Sequence, residues 1–159
     1  MKWKDWLAEW KMTKLNISMP YLEMEWQPSD PDKAAAWDLY IELLTRIATQ
    51  PLDDKHGKEQ SALDSVFSLF ATTRSILKTH GRECSEFTKI AIVVLNQVVR
   101  PFTAKWHKIS SESGFDDPAV ASTFRSELKE LQEVLRRYTG MLAQMAGVED
   151  NLLTLMEQS

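Results

Sequence analysis

The sequence predicts an all-α protein, a four-helix bundle with an N-terminal amphipathic helix and a short extended, β-like strap outside it. Three observations carry that prediction. Glycine and proline number only five and six in 159 residues, where an all-β chain needs many turns. Apolar residues recur at three- and four-residue spacing through three long segments. A fourth segment, 85–107, carries no charge between Lys89 and Arg100. Its Phe87, Ile90, Ile92, Val93, Val94, Leu95, Val98 and Val99 leave no polar face wide enough for a surface helix. That segment must be covered from several sides, so the other helices are expected to pack around it.

The length suits one core large enough to need no staples. By pattern the chain divides into an N-terminal region, 1–30, and a helical bundle, 31–159. A net charge of −4 and a pI near 5.4 argue against general nucleic-acid binding, which needs a cationic field. Cys84 is the only cysteine, which excludes an internal disulfide and suits a reducing, cytoplasmic setting. No uncharged apolar run approaches the roughly 20 residues of a membrane span. Asp5 and Glu9 stand where a secretory signal would be apolar.

In residues 1–12, Trp3, Trp6, Leu7 and Trp10 fall within an arc of about 100° of a helix, opposite Lys2, Lys4, Asp5, Glu9 and Lys11. So much indole surface on so short a helix must dock on something. The chain's own bundle, a protein partner and a second copy all qualify. Assigned to a partner, Trp3, Trp6, Leu7 and Trp10 become the partner-binding residues. A membrane surface is a further, weaker reading, because Asp5 and Glu9 dilute the interfacial Trp-Lys signature. From Thr13 the period becomes two: Leu15, Ile17 and Met19, then Leu22, Met24 and Trp26, alternate with polar residues and predict an extended strap. Pro20 removes an N–H and argues against a central strand, in favour of an edge strand, a two-strand ribbon or a strap across the bundle.

Asp30 as N-cap and Pro31 at the first helical position open a helix expected to run from Pro31 to Thr49, with Trp37, Tyr40, Ile41, Leu44, Ile47 and Ala48 as its stripe. Pro51 ends it, and a polar loop follows. The second helix, Lys58 to Thr79, carries Leu63, Val66, Phe67, Phe70, Thr73 and Leu77, with Gly81 beyond its end. The central helix, Ser85 to Ile109, should kink or break at Arg100, since Pro101 removes an N–H and crowds the Gln97 carbonyl. Asp117-Pro118 opens the last helix, to Ala146. Its Phe124, Leu128, Leu131, Leu135, Tyr138, Leu142 and Met145 form a heptad seam that can serve a core or a dimer. Leu152, Leu155 and Met156 continue the pattern.

Motifs for catalysis are missing: no glycine-rich phosphate loop, no nucleophile elbow, no zinc-protease spacing. His56, His80 and His107 have no ligand spacing, so neither a metal nor another cofactor is expected. Glu127, Glu130 and Glu133 are interleaved with Lys129, Arg136 and Arg137, the pattern of a solvated face. The sharpest candidate ligand site gathers Arg74, Asn96, Arg100, Lys105, Trp106 and His107. Arg100, on a charge-free helix, would point partly inward and meet a phosphate, a nucleotide or a carboxylate. In the structural alternative Arg100 pairs with Asp64 or Glu42, the other cations complement the helix end, and Trp106 caps the core. The leading functional expectation is a non-catalytic interaction protein: an adaptor, an antitoxin or immunity-type inhibitor, or an accessory subunit of a larger bacterial assembly, acting on a protein partner or as a homo-oligomer. The alternatives are a small anion-binding or nucleotide-binding bundle around Arg100 and His107, and a peripheral membrane-surface protein.

Overall fold

The computed structural model describes residues 1–53 and 58–148. His56 and the Leu152, Leu155 and Met156 continuation lie outside the described residues. Among the described residues seven α-helices run in order: α1 (Trp3–Glu9), α2 (Met19–Leu22), α3 (Asp30–Leu44), α4 (Glu59–His80), α5 (Ser85–Val94), α6 (Arg100–Glu112) and α7 (Pro118–Ala146). The predicted all-α bundle is therefore present. α3 packs along α7 and touches α4 and α5, while α4 lies against both α6 and α7. No described helix is long and apolar enough to cross a membrane.

Helix starts follow from local chemistry. Ser29, one residue before the expected Asp30, is the N-cap of α3. Its hydroxyl accepts from the Asp32 N–H, and the Asp32 carboxylate accepts from the Ser29 N–H, a reciprocal capping box. Asp32 is buried, and its second oxygen takes the Phe87 N–H at 3.0 Å. One carboxylate thus closes the starts of both α3 and α5. Asp117 caps α7 as its sequence suggests, accepting from the Ala119 N–H at 2.9 Å. α3 stops at Leu44 rather than Thr49, and turns carry the chain on to Gln50.

The central segment is divided as Pro101 requires. Between α5 and α6, Leu95–Val99 forms one π-helical turn, closed by the Arg100 N–H donating to the Leu95 carbonyl. This wider turn replaces the sharp break expected at Arg100, because it places the irregular hydrogen bonding just ahead of a residue that has no N–H. All-round coverage is also corrected. Phe87, Ile90, Ala91, Val94 and Val99 are buried, but Ile92, Asn96 and Arg100, at four-residue steps, form an exposed strip.

The predicted strap differs most. Residues 13–27 are not a continuous extended segment, since Met19–Leu22 winds into a helical turn behind Ser18 and Pro20. Only Glu25 forms a β-type bridge, to Lys2. It is held by the Trp3 N–H on the Met24 carbonyl (3.0 Å) and the Trp26 N–H on the Met1 carbonyl (2.7 Å). The heptad seam of α7 is spent inside the chain: Phe124, Leu128, Leu131, Leu135, Tyr138, Leu142 and Met145 all lie in the core.

Candidate functional site

The tryptophan stripe is in the chain's own core. Trp3, Trp6 and Leu7 are buried and Trp10 is half-buried, in one apolar cluster with α3, α5 and α7. The indole N–H groups have partners far along the chain. Trp3 donates to Glu86 at 2.9 Å, and Trp6 and Trp10 both donate to the Gln144 side-chain oxygen, at 3.0 and 2.7 Å. Trp3 and Trp6 meet edge to face at 5.2 Å, and Trp26 covers Trp6 at 5.0 Å. Trp3, Trp6 and Leu7 thus present no surface to a partner or a bilayer, because burying them with paired N–H groups satisfies both halves of the indole.

The second expected cluster separates. Trp106 is fully buried against Phe115 and Phe124, and Lys105 turns to α7, where it pairs with Glu127 at 2.7 Å. Asn96 and Arg100 remain neighbours where the π turn enters α6, His107 lies further along α6 against Phe67 of α4, and Arg74 is exposed elsewhere on α4. Arg100 does not point inward. Its guanidinium has no acidic partner among the described residues; it donates to Asn96 at 3.1 Å and lies over the Phe70 ring at 4.8 Å. Glu42, one carboxylate expected to hold it, is taken by Arg46 at 2.7 Å, and Arg46 also donates to Ser68 and Thr72. His107 meets Phe67 edge to face at 4.8 Å, and Phe67 is 50% exposed.

On α4, Arg74 and Lys78 flank a shallow depression with Ala71, Ser75 and Thr79. Neither cation has a carboxylate partner among the described residues. The α4–α6 face therefore carries an exposed aromatic pair, Phe67 with the His107 ring, and Arg100 over the neighbouring Phe70, while Arg74 and Lys78 lie further along α4. Such a surface favours an acidic, partly apolar counterpart, through charge-assisted hydrogen bonds and ring contacts. Phe67 was legible as apolar, but helical spacing alone assigns it to the core stripe; its neighbours Val66 and Phe70 take the buried positions instead.

Among the described residues no three His, Cys, Asp or Glu side chains are grouped to hold a metal ion. Cys84 is buried at the start of α5, its thiol donating to the Gly81 carbonyl at 3.1 Å. His80 pairs with Asp38 at 2.7 Å across α3 and α4, an arrangement with no sequence signal. Comparison with protein-family models, curated proteins and solved structures finds no match to this chain.

Proposed function

We propose that the protein is a non-catalytic helical interaction module that docks an acidic protein segment on its α4–α6 face. The observation that carries the proposal is exposed Phe67 against the His107 ring, with Arg100 over the neighbouring Phe70 and without a carboxylate partner among the described residues, and with Arg74 and Lys78 further along α4, on a chain whose net charge is −4. Isolated surface cations are ordinary, but here Arg100 lies beside a large exposed ring and two more cations follow along the same helix α4, and aromatic and arginine side chains dominate binding energy at interfaces. The adaptor, inhibitor and accessory-subunit roles all need such a face. The tryptophan helix then contributes indirectly, by fixing the bundle that presents it.

Charge reversal tests the proposal. Arg74→Glu with Arg100→Glu changes only exposed side chains, so circular dichroism and the thermal midpoint should stay close to those of the parent. Co-purification from the source organism should lose a partner that the parent retains, and the parent's complex should weaken as salt rises. A partner retained equally by both proteins contradicts the proposal.

A further inference from the structure

A second site lies on the other side of the central helix, where the chain following α1 crosses the π turn. Lys11, Lys14, Val98, Val134 and Arg137 line a groove of about 610 Å³, within the range of small-molecule pockets, roughly 300–1,000 Å³. Three cations meet there, and no carboxylate of the described residues lines the groove. Neither lysine has a charged partner among the described residues, and the Arg137 Nε is buried with no hydrogen-bond partner among them. A buried guanidinium nitrogen without an acceptor is costly. That Nε is closed to solvent, so an anion in the groove would meet the rest of the Arg137 guanidinium.

The backbone around the groove is built in unusual ways. α1 ends in a Schellman motif: the Met12 N–H donates to the Leu7 carbonyl and the Lys11 N–H to the Ala8 carbonyl. The left-handed position of that motif suits glycine, and Gly81, Gly114 and Gly147 hold the other positive-φ positions among the described residues. Here it holds Lys11, at φ 55°, the one non-glycine residue with positive φ among the described residues. A lysine kept where glycine would relieve strain points to a use for its ammonium group. Opposite, Gln97 of the π turn clamps the crossing segment, accepting from the Asn16 N–H at 2.7 Å and donating to the Asn16 carbonyl at 2.8 Å. The groove's wall is thereby fixed rather than left to a loose loop.

The geometry points to a binding site for a small organic anion, with a phosphate or carboxylate head held by Arg137, Lys11 and Lys14 and an apolar body on Leu15, Val98 and Val134. Arg137 supplies the planar fork suited to such a head, and the lysines add charge. This site does not depend on the α4–α6 face.

Amide NMR of the full-length chain with hexyl phosphate, hexanoate and hexylamine tests it. Either anion should shift signals of Lys11–Asn16, Gln97, Val98 and Val134–Arg137 at saturable concentrations, and the stronger of the two identifies the head group. Hexylamine should not. Arg137→Gln should weaken binding about tenfold, as the loss of one charge-assisted contact. Lys11→Gly should weaken it too while leaving the thermal midpoint unchanged or higher, which separates ligand binding from folding. Equal shifts with hexylamine, no shifts with either anion, or undiminished binding by Lys11→Gly would overturn the assignment.

Discussion

The Gln144 side-chain oxygen accepts two indole N–H groups, from Trp6 and Trp10, and so ties α1 to the far end of α7 across more than 130 residues of sequence. Because Trp6 is fully buried, this is a core contact with a polar lock. Trp6→Ala should cost about 3–5 kcal/mol, the usual loss for a buried large aromatic. Gln144→Leu keeps the volume but strands two donors, and should cost about 1–3 kcal/mol. Urea denaturation of each variant checks both values. A Trp6→Ala protein as stable as the parent would return α1 to the surface.

Asp32 closes two helices at once. Asp32→Ala removes the capping box of α3 and leaves the Phe87 N–H of α5 without its acceptor. The combined loss should be about 2–4 kcal/mol, from a cap and a buried unsatisfied donor. Asp32→Asn retains one acceptor oxygen and should lose less. Thermal unfolding of the two variants, side by side, gives the order.

How far these features were legible depends on how local they are. The starts of α3 and α7 were readable, within a residue, because a cap and its proline are neighbours in sequence. The heptad of α7 was readable as a stripe for the same reason. What each stripe packs against was not readable. Nothing near Trp3 or Trp6 in sequence announces Glu86 or Gln144, so an aromatic surplus looked equally like an interface. Phe67 and Arg100 show the same limit. Helical spacing placed Phe67 in a buried stripe and the charge-free run turned Arg100 inward, yet the bundle leaves a strip from Ile92 through Asn96 to Arg100 uncovered. The groove at Lys11 was out of reach, since it depends on a left-handed lysine, a π turn and a mid-helix arginine that only the fold brings together.

The Tyr138 hydroxyl is buried and has no hydrogen-bond partner among the described residues. Burial also pushes its pKa above the usual phenol range. Tyr138→Phe deletes an unsatisfied polar atom and keeps the ring. Its stability should match or exceed the parent's by up to about 1 kcal/mol, where a hydrogen-bonded tyrosine would lose a similar amount. Chemical denaturation distinguishes the two signs.

Glu23 is paired with Lys4 at 3.1 Å and Lys2 at 3.2 Å, and its pKa is lowered below the ordinary 4.5, first by the hydrogen bond from Lys4 and then by that from Lys2. A lowered carboxyl pKa stabilises the folded state above the unfolded value and ceases to do so as pH falls through the folded one. The contribution therefore fades below about pH 4.5, and it is small because the pair is exposed. Carbon-detected NMR should find the Glu23 midpoint below 4.5 at low salt. Lys4→Gln or 1 M salt should move it upward.

The role of the α4–α6 face is tested most directly by photo-crosslinking in the source organism, with benzoylphenylalanine at position 67 and, as a control, at position 92. Phe67 and Ile92 are both exposed, but Phe67 meets the His107 ring between α4 and α6, whereas Ile92 belongs to α5. Position 67 should give an adduct to an acidic segment of one protein, lost when Arg74→Glu and Arg100→Glu are added, and position 92 should give none. Adducts from position 92 alone, or adducts from position 67 indifferent to those charge reversals, would contradict that role.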